Sequence, residues 1–203
     1  MAWQFGSAAS GAASNFHDVH INAEAGAIRA GFTFEPVPMK PRIGIEVDYA
    51  SGDNCKTACG HANTFDNLYP TNHMKFGALD LMAWKNQVTY QAVFDVKPDA
   101  VSKLQVNFLI LRLADRHDNW YRSSQTVYGV TGAGNTSSSL GRELDVHYYR
   151  TFKEKFKAEI GVGHFWAGSY MNSTNGNNIN GGGAGNTNGS GENWGYVMGS
   201  VLF

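Results

Sequence analysis

Arg42-Ile43-Gly44-Ile45-Glu46-Val47-Asp48-Tyr49-Ala50 is the stretch that decides the fold. Ile43, Ile45, Val47 and Tyr49 fall at every second position, and Arg42, Gly44, Glu46 and Asp48 fill the positions between them. A helix would scatter these residues around its whole circumference. A strand turns successive side chains to opposite faces and sorts them cleanly. The pattern recurs along the chain. Val88, Tyr90, Ala92, Phe94 and Val96 alternate with Gln87, Thr89, Gln91 and Asp95. Leu104, Val106, Phe108 and Ile110 alternate with Lys103, Gln105 and Asn107. Leu144, Val146 and Tyr148 alternate with Glu143, Asp145 and His147, and Phe156, Ala158, Ile160 and Val162 with Lys157, Glu159, Gly161 and Gly163. Weaker strands are expected over residues 2–9, from about 19 to 34 and from about 194 to 203, which makes about eight. The second of these changes phase near Gly26, which suggests a bulge.

The connections come in two kinds. Residues 35–41, 98–102 and 153–155 make tight turns, whereas residues 10–18, 51 to about 79, 116–139 and 169–193 form long loops. The last holds a Gly/Asn-rich polar run that cannot pack a core. Short turns at one end and long loops at the other is the asymmetry of outer-membrane barrels, and an even strand count places both chain ends on the short-turn side. Phe32, Phe34, Tyr148, Tyr149, Phe152 and Phe156 lie beside the short turns, where an aromatic girdle is expected. The chain ends in Phe203, as bacterial outer-membrane barrels commonly end in an aromatic residue. A soluble β-sandwich also alternates; the loop asymmetry and the terminal Phe favour the barrel. The expected fold is therefore all-β, an antiparallel transmembrane β-barrel of about eight strands, with residues 1–203 as one barrel domain.

Composition agrees. Only 16% of the 203 residues are charged, below the ~25% of soluble domains, and 12 Phe, 9 Tyr and 5 Trp make the chain rich in aromatics. The net charge of −1 gives no reason to expect nucleic acid. No apolar run is long enough for a transmembrane helix, but a barrel strand needs only about ten residues with one apolar face. No basic n-region or apolar h-region precedes Ala2, so the chain is read as mature or as cut from a longer one. Cys55 and Cys59 lie close together in a Gly/Asn-rich stretch. A loop disulfide, a pair of free thiols, or a metal site completed by His61 and His73 are the readings open for them.

Residues 41–53, 64–73, 113–121, 141–145 and 161–168 resemble segments of the alginate export family of outer-membrane porins. Residues 41–53 resemble its strand-plus-loop motif. Thr64-Phe-Asp-Asn-Leu-Tyr-Pro-Thr-Asn-His73, with Gly77, Asp80 and Trp84-Lys-Asn86, resembles its most distinctive loop. Leu113-Ala-Asp-Arg-His-Asp-Asn-Trp-Tyr121, Gly141-Arg-Glu-Leu-Asp145 and Gly161-Val-Gly-His-Phe-Trp-Ala-Gly168 follow in the family's order. The resemblance implies a Gram-negative outer membrane, a barrel of eighteen strands, a polar lumen lined with basic residues, and passage of an anionic polysaccharide. This chain corresponds to the C-terminal part of such a barrel. Export then needs the missing N-terminal strands or a partner chain, because an eight-stranded barrel is filled by its own side chains.

A channel needs no catalytic group, and no enzyme is expected. It needs charges whose sign attracts the permeant and whose grip is shallow enough for release. Arginine holds carboxylates bidentately and keeps its charge. The candidates for an inward anion-selective wall are Arg29, Arg42 and Lys157, with Arg112 and Arg142 near the long-loop rim. Glu46, Asp48, Glu143, Asp145 and Glu159 are expected to share the lumen, either orienting the arginines or forming a salt-bridge network that fills a closed barrel. Asp53, Asp66, Asp80, Asp115 and Asp118 lie in or beside the loops. They are read as solvated acids rather than a Ca²⁺ site, since no EF-hand spacing is present, and no other cofactor or metal is expected. The rival to a channel is a small closed outer-membrane barrel with a structural or adhesive role.

Overall fold

The computed structural model describes residues 1–9, 18–54, 60–70, 75–153, 155–172, 177–179 and 191–201. Cys55, Cys59, His73, Phe203 and most of the Gly/Asn-rich run lie outside the described residues. The strands are β1 (Ala2–Ala9), β2 (Asp18–Thr33), β3 (Arg42–Ala50), β4 (His61–Ala62), β5 (Gln87–Asp99), β6 (Ser102–Arg112), β7 (Trp120–Tyr121), β8 (Val127–Val130), β9 (Ser139–Phe152), β10 (Phe156–Ala167), β11 (Asn178–Ile179) and β12 (Glu192–Val201). Eight of them form one antiparallel wall in the order β1-β2-β3-β5-β6-β9-β10-β12, so every strand lies beside its neighbour in sequence along that wall. Among the described residues β1 and β12 do not pair, and the wall does not close. β1 covers β2 only from Asp18 to Ala25, leaving Gly26–Thr33 unpaired on that side.

The alternation read from β3 holds, and it runs inside-out. Ile45 is 62% exposed while its neighbour Glu46 is 6%, and Val47 is 38% exposed while Asp48 is 1%. Directly paired residues on antiparallel strands share a face, so β3 sets the faces of the sheet. Ile28, Phe32, Tyr90, Phe94, Phe108, Ile110, Tyr148, Ile160 and Val162 are all exposed on the apolar face. Thr89, Asn107, Glu143, Asp145 and His147 are buried on the polar face. Soluble proteins bury apolar side chains and hydrate charged ones; a continuous exposed apolar face this wide calls for a non-aqueous neighbour.

Two expectations are corrected. The register of β2 runs through Gly26 without a shift. What changes there is the chemistry of the two faces. Above it Ala23 and Ala25 pack inward on Phe65 while Asn22 and Glu24 face out; below it Arg29 faces in while Ile28 and Phe32 face out. The wall's register shifts lie elsewhere: between Val96 and Asp99 where β5 pairs β6, and in β9, where Leu140 is the extra residue between the pairs Leu111–Gly141 and Arg112–Ser139. Tyr149 leaves the expected girdle. It lies on the polar face with His147, whose ring stacks on it at 6.1 Å. Phe32 and Phe34, in edge contact at 4.9 Å, and Phe152 and Phe156, at 5.9 Å, stand beside the short turns as expected.

The long loops are not a loose fringe. Toward them the polar face turns apolar at Leu109 and Leu111, and Phe76, Leu81, Met82, Leu113, Trp120, Leu140, Phe165 and Tyr170 build a buried cap on these two residues. A second sheet, β11-β8-β7, belongs to this cap. Tyr170 donates its hydroxyl to Gly129 O at 3.2 Å and is 2.8 Å from Thr131 Oγ. Burial pushes its phenol up to about 12, so it stays a neutral donor. Tyr170→Phe is expected to lower the cap's stability by about 1–2 kcal/mol, the cost of leaving a buried acceptor unsatisfied. Hydrogen exchange at Gly129–Thr131 is the measurement, and the wall strands should not change.

Candidate functional site

The polar face of β2, β3, β5 and β6 holds a cleft of about 300 Å³. Arg29, Arg42, Lys75 and Lys103 line it together with Glu46 and Asp95, so its four cations exceed its two carboxylates. Each wall residue arrives there by strand parity. Arg29 and Glu46 are register partners on β2 and β3, and Arg42 and Asp95 are partners on β3 and β5. Arg29 forks onto Glu46, Nε to Oε2 at 2.7 Å and Nη2 to Oε1 at 2.5 Å. The fork leaves Arg29 more than half exposed while Glu46 is buried, so the carboxylate orients the guanidinium without enclosing it. Arg42 lies along the wall 3.5 Å from Asp95. It fits because Gly31 beneath it carries no side chain: a Cβ there would stand 2.7 Å from Arg42 Nη2. Lys103 Nζ donates to Gln105 Oε1 at 2.7 Å and sits 4.4 Å over the Tyr149 ring.

Lys75 comes from the loop between β3 and β5, which folds back over the polar face. Its Nζ reaches within 3.9 Å of Glu46. The loop rests on the buried carboxylates of β9: Leu79 N donates to Glu143 Oε1 at 3.0 Å and Ala78 N to Asp145 Oδ2 at 3.2 Å. Gly77 makes this approach possible. Its φ is +101°, and a Cβ would lie 2.5 Å from both oxygens of Glu143. Downstream the loop is pinned by Trp84 Nε1 donating to Tyr49 O at 3.0 Å, and by Asn86. The Asn86 amide donates to Asp115 O at 3.1 Å and to Asn119 O at 3.0 Å, and its oxygen accepts from Asp115 N at 2.7 Å. A neighbouring cleft of about 340 Å³ runs between Arg29, Asp48, Tyr69, Phe76 and Trp84. The folded loop therefore narrows the space in front of the cationic wall.

The remaining expected residues separate. Lys157 and Glu159 lie on the polar face of β10, where Glu159 accepts from the Tyr196 hydroxyl and stands 3.8 Å from His147 Nδ1. Arg112 and Arg142 do sit at the long-loop end, but on the apolar face. Arg112 shares parity with Phe108 and Ile110, and Arg142 with Leu144 and Val146, so neither can reach the cleft. Alternation alone would have told this. Lys103 was equally legible, since it shares a face with Gln105 and Asn107. Lys75 was not, because only the folding of its loop brings it to Glu46.

Two of the loop acids, Asp53 and Asp118, are buried rather than solvated. Asp118 is buried and accepts from Asp53 N at 2.9 Å, Thr64 Oγ at 2.6 Å, Asn119 N at 2.6 Å and the Tyr121 hydroxyl at 3.0 Å. Burial, with Asp118 beside it, raises the Tyr121 pKa well above the ordinary tyrosine value. Asp66 exchanges backbone bonds with the Gln4 amide and lies 3.3 Å from Lys85. Among the described residues no group of three or more His, Cys, Asp or Glu side chains is placed to hold a metal ion.

Comparison with protein families matches residues 1–184 to the family described as alginate export. No curated protein matches the chain.

Proposed function

The chain belongs to the alginate export family, a transport family rather than an enzyme family, and from that premise we propose that it forms part of the wall of an outer-membrane channel passing an anionic polysaccharide. In this reading the exposed apolar face meets lipid and the polar face lines the lumen. The observation that carries the proposal is the pairing of these two faces on one sheet. An apolar exterior backs a cleft with four cations, and Glu46 holds Arg29 in place without enclosing it. Uronate polymers carry about one negative charge per sugar, because carboxylates titrate near pH 4. A partly neutralised cationic wall attracts such a chain and still lets it go.

The open edges of β1, β2 and β12 are completed in this reading by further strands or by a partner chain, giving a lumen wider than eight strands enclose. The closed-barrel alternative is not favoured, since the first and last wall strands do not pair among the described residues. Planar-bilayer recording of the complete porin tests the function. Stable open levels that prefer anions and are blocked by polyuronate are expected; a protein that inserts in the bilayer and never conducts would sink the channel reading. The lipid-facing assignment has its own test. Ile45→Arg, at mid-height on the apolar face, should cost about 2–4 kcal/mol of stability in the bilayer, as charge on a barrel's lipid face does. Reversible unfolding from lipid vesicles measures it, and a neutral effect would place that face elsewhere.

A further inference from the structure

The apolar face of β9 carries an arginine at each end. Arg142 stands near the long loops and Arg150 beside the short turns, with Leu144, Val146 and Tyr148 between them on the same face. Their separation is about 27 Å along the strand at ~3.4 Å per residue. At a tilt of about 40° it gives roughly 20 Å of height, comparable with the apolar band of outer-membrane walls.

The two ends are equipped differently. Arg150 Nη1 donates to Asp99 Oδ2 at 3.3 Å and to Ser102 Oγ at 2.9 Å, so the protein itself meets its charge. At the other end Arg142 is joined by Arg112, two positions beyond Ile110, its register partner on β6. Among the described residues neither is paired with a carboxylate; Arg112 donates to Ser138 Oγ at 2.9 Å. On the other side of Arg142 its register partner is Trp166. Phe108, Ile110, Arg112, Ser139, Arg142 and Trp166 border a crevice of about 710 Å³. Its lining sets the apolar side chains of Phe108, Ile110 and Trp166 beside the two arginines.

We infer that this crevice seats a phosphorylated lipid of the outer leaflet, with Arg112 and Arg142 on the phosphate and the acyl chains along Phe108, Ile110 and Trp166. Two like charges on neighbouring strands repel unless an anion lies between them. The planar guanidinium fork matches phosphate oxygens. A small soluble anion would leave the apolar lining bare, and a neutral lipid would leave the two charges unmatched; an anionic amphiphile satisfies both. The inference rests on the lipid-facing reading of the apolar face.

Native mass spectrometry of the full chain in phosphatidylcholine nanodiscs tests it, doped either with a bisphosphorylated glycolipid (lipid A) or with the same lipid stripped of phosphate. The phosphorylated form should be retained at least about tenfold better, and Arg112→Gln and Arg142→Gln should each weaken it about tenfold, as loss of a charge-assisted contact does. Arg150→Gln should leave retention unchanged. Equal retention of both lipids, an unaffected double variant, displacement by inorganic phosphate alone, or a second copy of the chain cross-linked across this crevice would each overturn the inference. Flotation of the wild-type chain with vesicles separates the two readings. A chain that does not float removes the lipid-facing reading and this site together; one that floats without phosphate preference removes only this site.

Discussion

Replacing Gly77 with valine is expected to release the loop over residues 75–86 from the polar face. Two penalties coincide at this position. The backbone sits at φ +101°, where a β-branched residue is strained. A Cβ would also stand 2.5 Å from both oxygens of Glu143, which is itself buried on a central strand and has no room to retreat. The bonds that seat the loop, Leu79 N to Glu143 and Ala78 N to Asp145, are then lost together. Leaving a buried polar group unsatisfied costs about 1–3 kcal/mol each time. Losing both lowers the docked population by on the order of a hundredfold or more. Lys75 and Lys85 bracket the loop and give the measurement. Tryptic cleavage after these residues should accelerate by about two orders of magnitude in Gly77→Val, with strand content unchanged. A rate equal to the wild type would show that the loop does not rest on the β9 carboxylates. In the channel reading the same variant should also conduct more.

Charge reversal of the wall, Arg29→Glu with Arg42→Glu, is the second large effect. It turns a cleft of four cations and two carboxylates into one of two cations and four carboxylates. It also sets Glu46 against an acid where it now holds the Arg29 fork. Charged clefts with low-dielectric walls raise the local concentration of their counter-ions by about 10- to 1000-fold. In the channel reading the anion-to-cation permeability ratio should therefore fall by at least about tenfold, and block by polyuronate should weaken with it. Reversal potentials across a salt gradient are the measurement. If they do not move, these two arginines do not set selectivity. Arg112→Glu with Arg142→Glu is the control, because both lie on the opposite face and should leave the potentials as they are.

Much of the wall was legible because a strand has the simplest of side-chain rules. The residues of β3 name their own faces, and register carries that assignment to every strand hydrogen-bonded in turn. Where reading went astray, a second principle was competing. At Gly26 the two faces exchange chemistry without any change of geometry, since the upper half of β2 is packed by Phe65 while the lower half turns Arg29 onto Glu46 and leaves Ile28 and Phe32 exposed. Arg112 and Arg142 carry the charge expected of a lumen residue but follow the parity of Ile110 and Leu144 onto the apolar face. Leu109 and Leu111 make β6 apolar on both faces toward its end, which in hindsight marks where the loops pack down. The docking of the loop around Gly77, and with it Lys75, depends on contacts between residues more than sixty positions apart, and no local pattern announces them.

The strictly sequential order of the wall has a consequence for how the protein reaches its native state. Each wall strand finds its partner in the preceding one, so this part of the molecule can zip up by successive hairpins of low contact order, the regime of rapid assembly. The cap is different. Three connections supply Phe76, Trp120 and Tyr170, which have nothing to settle on until β6, β9 and β10 have brought Leu109, Leu111, Leu140 and Phe165 together. Closure entropy therefore places the cap last. In the channel reading, a nascent wall would reach the membrane with its loops still loose, and the cap would form only after the hairpins are home.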